Sequence, residues 1–346
     1  MLQVTLSRDP IMNDSRKRRP TLQDIADLTG VTKMTVSRYL RDPQAVADAT
    51  RERIAAAVER LGYIPNRAPD ILSNATSRAI GILIPSLSNQ VFSALVRGIE
   101  SVTRPAGYQT LLAHYGYSPE REEEQVASLL SYHVDALILS DSLHTTRTRK
   151  MIATAGIPVV ETMDLPEQPI DLVVGMDHRA AARAMVTEML SRGRRRPIYL
   201  GARLDVRTRL RMEGYYQAMA EANLPGRHLL TERASSFTLG GELLDQVLAE
   251  YPDLDGLYCT NDDLAVGALL RCQALGIAVP ERLAIAGSNA LDIGRAMSPS
   301  LASIITPREA IGREAATLLM ARLAGNPVPQ TRIDLGFSLY QGESLG

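Results

Sequence analysis

Residues 21–40, TLQDIADLTGVTKMTVSRYL, divide into two short amphipathic helices around a tight turn. Thr21 with Asp24 three residues on has the form of a capping box. A helix is therefore predicted from residue 22 to 29, with Leu22, Ile25, Ala26 and Leu28 as its apolar face. Gly30 can take the left-handed backbone that ends a helix. Thr32 then caps a second helix, 33 to about 40, whose stripe is Val36, Tyr39 and Leu40. A third helix fits 50–61, with Asp48 near its start and Gly62 at its end. Together these predict a helix-turn-helix, a unit whose second helix enters the DNA major groove with its first residues on base edges. Here those residues are Lys33, Met34 and Thr35. Lysine donates to guanine O6 and N7, and a Met side chain or Thr methyl packs on the thymine methyl. With Thr21 and Thr32 at the helix starts and Arg38 one turn further on, they form the predicted DNA-contact set. The same pattern also fits a plain three-helix bundle with solvated polar faces.

From Ser77 onward the pattern becomes strand, then helix, repeated. AIGILIP, YQTLLAHY, ALILSD, PVVETMD and LVVGMD are short apolar runs, separated by helical stretches such as 90–103, 121–132 and 146–155. A second series runs through PIYLGA, HLLTERA, GLYCTND and LAIAGSN, with helices at about 209–222, 239–250 and 263–275. Near-continuous hydrophobic strands alternating with helices predict parallel sheets covered on both faces, and two series predict two α/β lobes.

Composition fits this two-part chain. It has 346 residues, a net charge of −1 and 45% hydrophobic residues, enough for about two domains and an ample core. Trp is absent and Phe numbers 3, so the core is expected to be Leu, Ile, Val, Ala and Met. No apolar run approaches the ~20 residues of a membrane span, and no signal peptide is visible. A cytoplasmic protein with no membrane partner is expected. Cys259 and Cys272 read as buried thiols in a reducing compartment. No His/Cys metal spacing, GxSxG, GxxxxGK[ST], HExxH or GxGxxG occurs, so no metal, cofactor or enzymatic activity is expected. Residues 1–78 carry +4 and the remainder −5, a basic head on an acidic body. The run RKRR at 16–19 suits phosphate contact or a disordered tail. Residues 1–15 lack periodicity, and Met12 is a candidate start.

TLQDIADLTGVTKMTVSRYL followed by LGYIPNRA resembles the N-terminal module of the lac-repressor and gluconate-repressor superfamily of bacterial regulators. NRAPDILSNATSRAIGILIPSLSNQVF, LLAHYGYSPE, YLGARLD, CTNDDLAVGA and the ITPRE segment extend the resemblance along the chain, closest to the branch holding the gluconate-utilisation repressors. The resemblance implies an all-α helix-turn-helix head plus hinge, then a periplasmic-binding-protein-like α/β core of two parallel-sheet lobes. The expected division is a tail over 1–17, the head over 18–65, the hinge over 66–78 and the effector and dimerisation domain over 79–346. Its first lobe would take about 79–176 and 306–336, and its second about 177–305 and 337–346. In the hinge, Leu72 matches the leucine that wedges into the minor groove, and Asn66 and Arg67 match backbone or minor-groove contacts. Pro69 departs from the pattern but falls in the first turn, where proline is tolerated.

Ligand positions carried over from the family fall on Ser88, Phe92, His144, Arg211, Phe237, Asn261 and Asn289. Arg207 is added from its place in the cationic stretch LDVRTRLR. His144 and Asn289 stand where relatives carry acids, while Arg207 and Arg211 remain. Less carboxylate with retained guanidinium favours an anionic ligand, since Arg matches carboxylate bidentately. The expectation is a homodimeric repressor on a palindromic, double-stranded DNA operator, released by a sugar acid such as gluconate or a ketogluconate. Alternatives are relatives that sense a phosphosugar or a purine or need a corepressor. From another class comes a sugar-transport binding protein, which would have no use for the head.

Overall fold

The computed structural model describes residues 18–66 and 76–346, which separate into two compact units divided between Ala75 and Thr76. The first contains α1 (Leu22–Thr29), α2 (Lys33–Arg41) and α3 (Asp48–Leu61), with a short 3-10 turn, Pro43–Ala45, before α3. The capping box is present: Asp24 N donates to Thr21 Oγ1 at 3.4 Å and Thr21 N to Asp24 Oδ2 at 2.7 Å. Gly30 and Gly62 end their helices with φ of 65° and 58°. The third helix starts two residues earlier than its pattern predicts, and Ala47 precedes it with no side-chain cap. Ile25, Val36 and Ile54 are fully buried at the centre, ringed by Leu22, Val31, Tyr39, Leu40 and Leu61.

The second unit opens with β1 (Ala79–Ile84), α4 (Gln90–Thr103), β2 (Gln109–His114), α5 (Pro119–Ser131), β3 (Ala136–Leu139), α6 (Thr146–Ala155), β4 (Val159–Met163) and β5 (Leu172–Gly175). It continues with α7 (His178–Ser191), β6 (Pro197–Ala202), α8 (Val206–Glu221), β7 (His228–Thr231), α9 (Phe237–Glu250), β8 (Gly256–Cys259), α10 (Asp262–Leu275), β9 (Ala284–Ser288) and α11 (Asp292–Ala296). β10 (Ala302–Ile305), α12 (Arg308–Leu323), β11 (Arg332–Asp334) and β12 (Ser338–Tyr340) complete it. One sheet has the order β11-β5-β4-β3-β1-β2 and the other β12-β10-β9-β8-β6-β7. All neighbours are parallel except β10 and β12. The chain thus passes from the first sheet to the second after β5, back after β10 and across again after β11.

The central strands are buried on both faces because helices cover both, which explains their unbroken apolar runs. Helices meet at small residues: a Cβ on Gly98 of α4 would lie 2.1 Å from Glu309 O, and one on Gly312 of α12 equally close to Leu95 O. Composition alone misjudged one part of the core. In the second lobe Tyr199, Tyr215 and Tyr258 are fully buried, with the Tyr199 ring 5.8 and 5.6 Å from the other two. Their hydroxyls reach Thr208 O, Pro197 O and Ser288 Oγ at 2.7, 2.9 and 3.1 Å, which is what lets such rings be buried. Among the described residues no helix is long and apolar enough to cross a membrane.

Candidate functional site

In the head, α2 turns its packed side inward through Val36 and leaves Lys33, Met34 and Arg38 exposed, Met34 by 75%. A large apolar side chain bared at the start of a polar helix has no role in the head's packing and suits a surface that contacts another molecule. The threonines are already engaged. Thr32 Oγ1 accepts from Thr35 N at 3.2 Å and pairs with Thr35 Oγ1 at 2.9 Å. Thr21 Oγ1 donates to Asp24 Oδ2 at 2.7 Å, and Thr21's bonds hold the Asp24 carboxyl below its usual range. Arg18, Arg19, Thr21, Lys33 and the stretch from Tyr63 to Asn66 border one concave, basic surface. Arg67 and Leu72, like the 1–17 tail and most of the hinge, lie outside the described residues.

In the second unit a narrow cleft lies between the two sheets. Its lining follows strand carboxyl ends, where α/β folds place ligands: Asn89 after β1, Tyr117 after β2, Met163 closing β4, Arg203 after β6, Ser235 after β7, Asn261 after β8 and Asn289 after β9. Phe92, Arg207 and Arg211 complete the core of it. Tyr117, Met163, Arg203 and Asn289 all hold left-handed backbone, with φ of 62°, 79°, 68° and 108°. Non-glycine residues in that region carry strain that surrounding structure must maintain, and they gather at functional sites.

Five of the eight sequence-predicted residues share this lining: Phe92, Arg207, Arg211, Asn261 and Asn289. Asn261 Oδ1 caps α10 by accepting from Leu264 N at 3.2 Å. Arg211 Nη1 donates to Thr260 O at 2.6 Å, and Nη2 stands 3.3 Å from His178 Nδ1. His178 Nε2 reaches Met163 O at 3.1 Å and Asp164 at 3.3 Å, so the proton sits on Nε2 and Nδ1 accepts from Arg211. Burial lowers the His178 pKa, keeping the ring neutral. Both acceptors of Arg211 are thus uncharged.

The other three lie elsewhere. Ser88 is exposed and pairs with Ser86 Oγ at 3.1 Å. The lining begins one residue later with Asn89, which caps α4 through Val91 N and donates to Tyr117 Oη at 3.4 Å. Phe237 opens α9 and is 41% exposed, while Ser235 in the preceding loop takes the place in the cleft. His144 is corrected most. Its side chain is fully enclosed, with Nδ1 2.8 Å from Glu122 Oε2 and Nε2 3.3 Å from Glu161 Oε1. Burial alone would lower its pKa. The hydrogen bond to Glu122 and the close charge of both glutamates outweigh this and push it up to about 9, so it is a buried cation tying α5 to β4.

The expected loss of negative charge is also corrected. Asp205 stands in the lining itself and caps α8 by accepting from Thr208 N at 2.8 Å, and Asp164, after β4, and Asp141, after β3, add carboxylates behind it that act on Arg207. Arg207 reaches from the second lobe to the first, donating to Ser140 O at 3.0 Å and lying 3.4 Å from Asp164 Oδ1. Burial opposes ionisation of Asp164, but Arg207 and His178 hold its pKa below the usual range. Arg203 spans the lobes at a second point, its guanidinium 3.9 Å from the centre of the Tyr117 ring. Position after a strand end could have marked Tyr117, Arg203 and Asp164. His178 carried no signal.

The sequence profile of bacterial regulatory proteins, lacI family, matches residues 21–66, and that of the periplasmic binding protein-like domain matches 186–345. The chain is 57% identical over 330 residues to the HTH-type transcriptional regulator GntR of Escherichia coli K12, covering 95% of this chain and 100% of the relative. It is 50% identical over 331 residues to the regulator IdnR of the same organism, with the same coverage. A crystal structure of a LacI-family transcriptional regulator from Silicibacter pomeroyi superposes with a TM-score of 0.89 at 35% identity, covering 94% of this chain and 99% of the other.

Proposed function

The chain belongs to the lacI family of bacterial regulatory proteins and is a DNA-binding transcriptional regulator, and on that premise we propose that its effector is a gluconate-type sugar acid bound in the cleft. The observation that carries this reading is Arg211. It is buried in the lining, and its two hydrogen-bond partners are uncharged, Thr260 O and a neutral His178. A guanidinium so placed attracts a carboxylate, which it can grip bidentately. Arg207 has its charge met by Asp164, so Arg211, with Arg203 at the mouth, carries the anion preference. Asn261 and Asn289 supply amides for hydroxyl oxygens.

The regulator acts as a homodimer on a palindromic operator, since two heads on a two-fold axis read mirrored half-sites. Lys33, Met34 and Arg38 face the bases, and the hinge residues Asn66, Arg67 and Leu72 complete the DNA contact. A bound sugar acid draws the lobes together across Arg207–Asp164 and Arg203–Tyr117, and operator affinity falls. Coupling of this kind is reciprocal, so operator must weaken sugar-acid binding by the same factor.

Calorimetric titration with gluconate, its keto derivatives, gluconate 6-phosphate and glucose tests the reading. An unphosphorylated acid is expected to bind and glucose to remain silent. Binding of phosphosugars or purines alone would discard the sugar-acid assignment, and equal sugar-acid affinity with and without operator would discard the coupling.

A further inference from the structure

Asp262 stands directly after the α10 cap, Asn261, yet it caps nothing. Its carboxylate is wholly buried and turns toward neighbouring segments. Oδ2 accepts from Leu291 N at 2.6 Å, and Oδ1 accepts from Ser303 Oγ at 2.6 Å. Ser303 Oγ in turn accepts from Ala290 N at 2.9 Å. One carboxylate therefore holds two consecutive backbone amides, one directly and one through a hydroxyl. Those amides belong to a turn with left-handed backbone at two non-glycine residues, Asn289 at φ 108° and Ala290 at φ 47°. Such a turn persists only where its surroundings over-determine it. Space beside the carboxylate is reserved as well, because a Cβ on Gly287 would lie 2.3 Å from Asp262 Oδ1.

The turn delivers Asn289 to the cleft lining. Asn289 N donates to Ile304 O at 2.9 Å, and its Oδ1 accepts from Thr306 Oγ1 at 3.4 Å. With the side-chain oxygen engaged, the amide nitrogen is the group left to donate to a ligand oxygen. We propose that Asp262 is a positioning residue for effector recognition: as a carboxylate it fixes the Asn289–Ala290 turn, and through that turn it presents the Asn289 amide to an oxygen of the effector. The inference rests on the cleft being the effector site and assigns the group outside the lining that sets its geometry.

Burial pushes the Asp262 carboxyl up to about 7, against the lowering pull of Ser303 and the Leu291 amide. The titratable groups around it are Asp263 on its own helix, Tyr258 and Cys259 on β8, and Arg308 at the start of α12. Asp263 raises it and Arg308 lowers it. A protonated carboxyl surrenders acceptor capacity, so the turn is held best above that pH.

Protein labelled with 15N at asparagine reports this directly. The Asn289 side-chain amide, assigned by its loss in Asn289→Ala, is expected to shift with pH about a midpoint near 7 in the wild type and to stay still in Asp262→Asn. Calorimetry with gluconate gives the second readout. Wild-type affinity should rise across the same interval, and Asp262→Asn and Ser303→Ala should each bind about tenfold more weakly, the worth of one neutral hydrogen bond. Neither loss should add to that of Asn289→Ala. Ser303→Ala keeps the carboxylate and serves if Asp262→Asn fails to fold. An Asn289 amide indifferent to pH and to both substitutions overturns the proposal, as do additive losses. A wild type silent to gluconate whose Asn289 amide still follows Asp262 sinks the sugar-acid reading and leaves the positioning role standing.

Discussion

In the head, Lys33 and Arg38 are exposed and, among the described residues, form no ion pair. In the cleft, Arg207 and Arg211 are 7% and 6% exposed, and every hydrogen bond they make goes to a specific atom of another segment. The two regions use the same kind of charge for different ends. An exposed cation attracts phosphate at a distance, is weakened by salt and can be removed without cost to the fold. A buried cation is part of the electrostatic balance of the interior, and removing it leaves its partners unmatched. The head is therefore expected to tolerate substitution and lose recognition. In the cleft, recognition and internal balance should change together.

The largest effect that tests this contrast is expected from Arg211→Ala. Truncating one side of a buried, charge-assisted contact costs about 2–5 kcal/mol, so sugar-acid binding and the release it triggers should disappear while operator binding persists. Calorimetry with parallel operator titration reads both, and a normal response to the acid would remove Arg211 from the site. In the head, Lys33→Ala should cost about 1–3 kcal/mol of discrimination at one base pair per half-site. It should also flatten the salt dependence of operator binding. Mobility shifts on operators carrying single base changes measure the first; an unchanged preference would reduce Lys33 to a phosphate contact.

His144 tests the internal half of the contrast by pH. Its pKa stands at about 9 in the fold against an ordinary 6.5, so the folded state holds the proton more tightly. The stabilisation is complete below about 6.5 and is lost as pH rises through 9. Glu122 and Asp262, both raised by burial, lose stabilisation in the same sense at lower pH, Asp262 about a midpoint near 7, so the interval that reports His144 alone begins at about pH 8. The melting temperature of the body should thus fall by on the order of 10 °C from about pH 8 to beyond the His144 pKa. His144→Gln should remove that slope, and a slope that survives would place the titrating group elsewhere.

These regions also differ in how far the sequence discloses them. Thr21, Asp24, Gly30 and Thr32 act within four residues of themselves, so a linear reading finds them and the helices they bound. The sheets are equally plain, because buried parallel strands need unbroken apolar runs such as AIGILI. Arg211 is found through family resemblance and Arg207 through the cationic stretch around it. What escapes is partnership at long range. Asp164 meets Arg207 across 43 residues, and His144 meets Glu122 across 22. Nothing local in ETMD or SLHT announces those pairings, and so His144, placed among the ligand positions by resemblance alone, reads as a ligand group until its neighbours are known.

The smallest expected effect separates recognition from stability within the head. Thr32→Ala removes the hydroxyl that accepts from Thr35 N and pairs with Thr35 Oγ1. Loss of such a cap costs about 1 kcal/mol, roughly a fivefold change in an equilibrium constant. Amide exchange in α2 should quicken and operator affinity fall by about that factor, with base preference unchanged. Lys33→Ala should show the reverse, altered preference with unaltered exchange. In the body the same cap function belongs to Asn261, a residue that also lines the cleft. There a truncation cannot separate the two roles, since the atom that caps α10 and the amide beside it belong to one side chain. If Thr32→Ala changed base preference as well, the head would share that property, and its exposed surface would be as tightly bound to its fold as the cleft is.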